Sequence, residues 1–229
     1  MNLGVLFLHA LPLDGSMWRE QMDLLPESSW APTLYRLGDT IEEWVAAALR
    51  MVTVDRLIVV GCSIGGSSAL EVAQIAPERV AALVLIGAKA AHRPDPEGRR
   101  SALDLIENNG IDAAWRAYWA PLFSNATDPL VVETARQTVL RQPVGDIARW
   151  VDAFHRRPNR EAIVVNCSCP IIVVTGEDDP VPGPVASMAL AVKAFKGRCH
   201  VIPSCGHYVP VEEPLALRAI LSEVIDTEQ

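Results

Sequence analysis

The sequence predicts an α/β fold: a doubly wound, mainly parallel sheet of about six strands, with a helical segment inserted between two of the later strands. Three observations carry this. Short β-branched or leucine-rich runs alternate with longer helical patterns, which is how parallel βαβ units read. The run "RLIVVG" at 56–61 is continuously apolar rather than alternating, as a strand covered on both faces is. From about 91 to 160 no strand pattern is convincing, and helical patterns are broken by Gly110, Pro121, Pro129 and Pro143.

In order, Val5 to His9 reads as the first strand, because the apolar N-terminus lacks the basic stretch of a secretory signal. Trp18 to Leu25 predicts a helix ended by Pro26, and Thr33 to Tyr35 a short strand. "TIEEW" is a capping box, Thr40 as N-cap and Glu43 three residues on, opening a helix to about Met51. After the apolar run, a helix extends from Ser63 to about Ile75 and stops before Pro77; Ala82 to Ile86 is the next strand. Ile171 to Thr175 and Cys199 to Ile202 complete the set. Residues 1–90 and 161–229 therefore form the core, and 91–160 a helical cap. Within that cap Trp115, Tyr118, Trp119 and Leu122 fall at helical spacing, as do Ile147, Trp150, Val151 and Phe154. A cap over a sheet edge leaves a crevice, and aromatic walls suit an apolar pocket; the candidates are Trp18, Trp115, Trp119 and Trp150.

Bulk properties exclude several classes. Half of the 229 residues are apolar, enough for a sizeable core. The formal charge of −8 and the absence of a basic stripe argue against a nucleic-acid partner. No run approaches the roughly 18 apolar residues that a membrane span needs. Five cysteines, an odd count, favour a reducing, cytoplasmic setting, and the Cys167-x-Cys169 pair reads as free thiols rather than a metal site.

The chemistry begins at Gly61-Cys62-Ser63-Ile64-Gly65, a G-x-S-x-G placed between a buried strand and a helix. There a serine sits on a sharp turn, small residues on either side let strand and helix pass closely, and the helix N-terminus offers free N–H groups to a developing oxyanion. A phosphate-binding loop would need Gly-Lys-Ser/Thr, which is absent. A serine hydroxyl is a poor nucleophile without a base. Of five histidines, His207 in "SCGHYVPVEEP" lies in a loop after the last strand, on the serine's side of the sheet. His9 begins the loop after the first strand, His92 and His155 belong to the cap, and His200 lies within a strand. The orienting carboxylate comes from "VVTGEDDPVP", where Glu177, Asp178 and Asp179 are all candidates. The side chain of Cys62 is expected to point into the core, and Cys205 to be an oxidation-sensitive neighbour of His207.

With "LFLHALPLDGSMW", "VVGCSIGGSSALEVAQIAPERV", "IIVVTGEDDPVP" and "GHYVPVEEP" in this order, the chain resembles the α/β-hydrolase superfamily. In that family the catalytic acid stands three residues after the glycine ending its strand, which implies Asp179, with Asp178 next. The family's oxyanion donors map to the N–H groups of Leu11 and Ile64, although His9-Ala10 stands where His-Gly is usual. The chain begins at what is usually the family's third strand, so the edge hairpin is missing and the exposed edge favours a homodimer. The resemblance implies hydrolysis of a small carboxylic ester or lactone by Ser63, His207 and Asp179. It likewise implies a small acyl substrate and a reaction that needs neither metal nor organic cofactor. The loop "HALPLDGSMW" is also similar to that of enol-lactone hydrolases acting on 3-oxoadipate lactone. An acidic substrate of that kind calls for a cap arginine, such as Arg116 or Arg149, facing the pocket. The same fold also hosts lyases, carbon–carbon hydrolases and non-turnover receptors, which the triad does not separate.

Overall fold

The computed structural model describes residues 2–194 and 196–229. Its strands are β1 (Leu3–Leu8), β2 (Ser29–Trp30), β3 (Arg56–Cys62), β4 (Val80–Ile86), β5 (Ile171–Gly176) and β6 (Gly197–Ile202). They form one six-stranded sheet in the order β2-β1-β3-β4-β5-β6, with every neighbouring pair parallel. All of β4 and β5 and nearly all of β3 are buried, which explains their unbroken runs of Val, Ile and Leu. The helices are α1 (Ile41–Met51), α2 (Ile64–Ile75), α3 (Pro96–Ala114), α4 (Pro129–Leu140), α5 (Val144–Arg156), α6 (Glu161–Asn166), α7 (Gly183–Lys193), α8 (Val209–Glu212) and α9 (Pro214–Glu228). The chain leaves β1 for β2 on one side and returns to place β3 on the other. The loops after β1 and β3 therefore diverge, opening a crevice at the carboxyl ends of the strands, where ligands bind in open α/β sheets.

Local chemistry sets the helix starts. Thr40 Oγ1 accepts the Glu43 N–H at 3.2 Å, an N-cap that contributes about 1 kcal/mol. The carboxylate of Glu43 reaches back to the Asp39 N–H at 2.7 Å, one residue before the position a capping box would use. Asp95 and Asp128 cap α3 and α4 through their side chains.

Two expected elements differ. Thr33–Tyr35 is not a strand; the β1 ladder goes to Ser29–Trp30, and Leu34–Arg36 is a 3₁₀ turn. The reason is that Leu34 gives its N–H to His9 Nε2 at 2.8 Å instead of to a strand. Trp18–Leu25 is not one helix but a chain of 3₁₀ turns closed by i→i−3 bonds from Arg19, Gln21 and Leu24. Trp18 is fully buried there, 5.0 Å from the Phe7 ring.

Between β4 and β5 the described residues are helical or irregular, with α3, α4 and α5 and a π-helical turn at Trp115–Trp119. Gly110 breaks α3 with φ 82°. The two ends of this segment are tied together: the Arg160 N–H donates to Ala90 O at 2.9 Å, and its guanidinium meets the buried Glu71 of α2 at 2.7 Å. No helix among the described residues is long and apolar enough to cross a membrane.

Candidate active site

Ser63 is the residue between β3 and α2, and its backbone is held at φ 56°, ψ −116°. A non-glycine residue there stores strain on the order of 1–3 kcal/mol. Its N–H is anchored on Ile86 O at 2.8 Å. The flanking glycines make the turn sterically feasible. A Cβ on Gly61 would lie 2.1 Å from Gly65 O, and one on Gly65 would lie 2.0 Å from Leu8 O. The motif therefore specifies a close crossing of strand and helix that lifts the serine side chain above the sheet.

The three acidic residues after β5 have three different partners. Glu177 accepts the Ser204 N–H, and Asp178 accepts the Ser124 hydroxyl at 2.5 Å. Asp179 is buried and meets His207 Nδ1 with both oxygens, at 3.0 and 3.1 Å. Asp179 Oδ1 also takes the Val181 N–H at 2.8 Å. This geometry fixes the Nδ1–H tautomer of His207 and leaves Nε2 as the acceptor. Ser63 and His207 line the same cavity, and among the described residues the Ser63 hydroxyl makes no hydrogen bond.

The loop after β1 lies across from Ser63. Ala10 gives its N–H to Met17 Sδ at 3.3 Å, and Leu11 O accepts the hydroxyl of the buried Tyr208 at 3.2 Å. The N–H groups of Leu11 and Ile64 donate to no acceptor among the described residues, which leaves both available to a ligand. His9 is buried, and desolvation holds its pKa down to about 4, so it is a neutral strut that joins Leu34 to this loop.

The cavity is about 380 Å³, within the usual range for small-molecule sites. Leu11, Ser63, Gly87 and His207 come from loops after the strands; Tyr118, Trp119, Leu122, Val151, Phe154 and Arg157 come from the segment between β4 and β5. Of the four tryptophans expected in its walls, Trp119 is there. Trp18, Trp115 and Trp150 are not, because each packs inward: Trp18 on Phe7, Trp115 on Phe123, and Trp150 against His9, Tyr35 and Trp44. Arg116 and Arg149 do not line it either. Arg116 pairs with Asp112, and Arg149 pairs with Asp146 and Asp39, all near the surface. Cys62 is buried with its thiol directed to His207 O at 3.8 Å, and burial pushes its pKa up. Cys205 is also fully buried with its pKa raised by burial, which disfavours the reactive thiolate and corrects the expectation of oxidation sensitivity.

The sequence reading missed Glu212. Its carboxylate accepts N–H bonds from Ser124, Gly206 and Tyr208 at 2.8–2.9 Å and the Thr127 hydroxyl at 2.5 Å. It thereby fastens the His207 loop to the connection that leads into α4 in the helical insertion, and no spacing rule marks such a role. Arg157 was missed as well, because a basic residue after a helix reads as an ordinary C-terminal cap.

Comparison with known proteins completes the picture. The profile described as "Alpha/beta hydrolase family" matches residues 5–220. A 2-hydroxy-6-oxo-2,4-heptadienoate hydrolase of Pseudomonas putida is 23% identical across 98% of this chain and 89% of its own. A thermophilic esterase from Thermogutta terrifontis superimposes with a TM-score of 0.89 at 27% identity, over 100% of this chain and 91% of that one. The enol-lactonase of Burkholderia xenovorans LB400 shares the fold, with a TM-score of 0.82 at 17% identity over 99% of this chain and 92% of that one.

Proposed function

The chain belongs to the alpha/beta hydrolase family, and from that premise we propose that it is a serine hydrolase cleaving a small carboxylic ester or lactone through an acyl-enzyme. The observation that carries this reading is that His207, held from behind by the buried Asp179, lines one cavity with the strained Ser63. Ser63 Oγ attacks the acyl carbonyl as its proton passes to His207 Nε2. Asp179 holds the tautomer and stabilises the imidazolium. The Leu11 and Ile64 N–H groups receive the oxyanion, each donor contributing about 3 kcal/mol to the barrier reduction. The imidazolium then protonates the leaving alkoxide oxygen. Water, deprotonated by His207, attacks the acyl-enzyme and releases the acid and free Ser63. No cofactor takes part in these steps. Residues 91–160 act as a cap over a core of 1–90 and 161–229, and Trp119, Val151 and Phe154 enclose the acyl chain.

A second reading, hydrolysis of a carbon–carbon bond, is favoured by the Pseudomonas putida relative, which matches nearly the whole chain. Turnover of p-nitrophenyl acetate, butyrate and octanoate by wild type and Ser63→Ala tests the first reading. The expected result is hydrolysis that falls at least roughly 10³-fold in the variant. If a fluorophosphonate labels Ser63 but no ester turns over, the ester reading fails, and the relative's dienoate becomes the next substrate to assay.

A further inference from the structure

Several half-buried arginines elsewhere in the molecule have carboxylate partners: Arg160 on Glu71, Arg136 on Asp112, Arg56 on Glu228; Arg79, away from the cavity, donates instead to the Val54 carbonyl at 2.7 Å. Arg157 has no carboxylate partner among the described residues. It stands just after α5 and lines the cavity that holds Ser63 and His207. Its Cζ lies 3.9 Å from the Phe154 ring centroid, and one N–H goes to Phe154 O. Among the described residues no carboxylate lies within 4.0 Å of it. A guanidinium has five N–H donors, so several remain uncommitted. Burial holds its pKa down to about 10, which still leaves it charged at neutral pH. Lys89 lines the same cavity. The acid in the cavity wall, Asp95, is engaged as the cap of α3 through the Gly98 N–H at 2.9 Å. His155 also lines the cavity; its pKa is lowered by burial, so it adds no charge at neutral pH. An uncompensated half-buried cation is unfavourable for the empty protein and favourable for a ligand that brings the missing anion.

We propose that Arg157, assisted by Lys89, is an anion subsite that binds a carboxylate on the acyl part of the substrate, so that the preferred substrates are monoesters or lactones carrying a free carboxylate. The planar fork of a guanidinium matches a carboxylate in a way that a neutral acyl chain cannot reproduce. This rests on the reading of Ser63 as nucleophile, because it places the acyl group of the substrate in the same cavity. The competing explanation is that Arg157 only caps α5 through Phe154 O, next to the negative end of the helix.

Two measurements separate these explanations. The first compares kcat/KM for monomethyl succinate, glutarate and adipate with that for methyl butyrate, pentanoate and hexanoate. Wild type is expected to prefer at least one anionic ester over its neutral partner by roughly 10–100-fold. Arg157→Gln is expected to lower the anionic member at least tenfold more than the neutral one, and Arg157→Lys to restore part of the difference. The second is calorimetric binding of glutarate and adipate to Ser63→Ala, expected to weaken at least tenfold when Arg157→Gln is added. Equal loss on both ester classes with a lowered Tm would establish mere helix capping and overturn the proposal. So would a wild type indifferent to charge. Arg157-dependent dicarboxylate binding without turnover of any ester would retain the subsite and reject the ester-hydrolase reading instead.

Discussion

The loops at the carboxyl ends of the strands and the helical segment between β4 and β5 both line the cavity, but they are built differently. The strand loops are held by backbone bonds: Ser63 N to Ile86 O, Gly87 N to Val174 O, Glu177 N to Ile202 O and Asp178 N to Cys205 O, all at 2.8–2.9 Å. The helical segment is kinked at Gly110, wound as a π turn at Trp115–Trp119, and laced by ion pairs of the exposed Arg116 and Arg149 and the half-buried Arg136. The groups proposed to react thus sit where main-chain geometry fixes them, and the cavity walls sit where side-chain packing decides. A change in the first region is expected to alter the reaction, and one in the second to alter which substrate enters.

The sharpest contrast lies between adjacent residues. Asp179→Asn removes the partner that sets the His207 tautomer, and activity is expected to fall roughly 10³–10⁴-fold. Asp178→Asn, which touches Ser124 of the helical segment, is expected to stay within about tenfold, as a single hydrogen bond allows. Assaying both variants on one ester tests the division, and equal losses would break it.

Glycine substitution makes the same comparison in stability. Gly65→Ala must displace the Leu8 carbonyl, which would lie 2.0 Å from the new Cβ, and is expected to destabilise by on the order of 3 kcal/mol. Gly145→Ala in α5 meets nothing within 4 Å and is expected to gain about 0.5–1 kcal/mol from helix propensity. Urea midpoints of the two variants measure the difference.

A comparable effect is expected from pH. The folded pKa of His9, about 4, lies below its ordinary value of 6.5, so the unfolded chain binds the extra proton between those values. Stability from this residue is complete above pH 6.5 and is lost as pH falls toward 4, by roughly 3 kcal/mol in all. Urea unfolding at pH 7.5, 5.5 and 4.5 reads the slope, and His9→Gln is expected to flatten it whatever its own stability. His92 and His155, only part-buried in the helical segment, are expected to contribute a smaller slope, since burial lowers their pKa values less severely. The smallest effect belongs to Arg116→Ala. Its ion-pair side chain is 73% exposed, and thermal melts are expected to shift by less than about 0.5 kcal/mol equivalent, with ester turnover unaltered.

The same division explains what could be read from the residues. The parallel sheet was legible because a strand buried on both faces has a continuous apolar run, as in β3 and β4. The Ser63 turn was legible because two glycines are sterically required at fixed spacing. Thr33–Tyr35 misled because its β-rich residues spend a backbone N–H on the His9 imidazole, a tertiary partner invisible to local pattern. The tryptophans misled for a related reason. Helical spacing shows that Trp115 and Trp119 share a face, but not which of them reaches the cavity, and the π turn shifts the register on which that reading depends. Trp150 looked like a pocket wall and is instead the centre of a buried cluster with His9, Tyr35 and Trp44. Arg157 carries no sequence signature, because its significance is the absence of a nearby carboxylate in three dimensions.

The most direct test of the proposed chemistry is mass spectrometry of the protein quenched during turnover of p-nitrophenyl butyrate, followed by peptide mapping. The expected result is a butyryl adduct on the peptide containing Ser63, absent in Ser63→Ala along with the turnover. Sustained turnover with no adduct on Ser63, or undiminished turnover by Ser63→Ala, would contradict an acyl-enzyme formed at this serine.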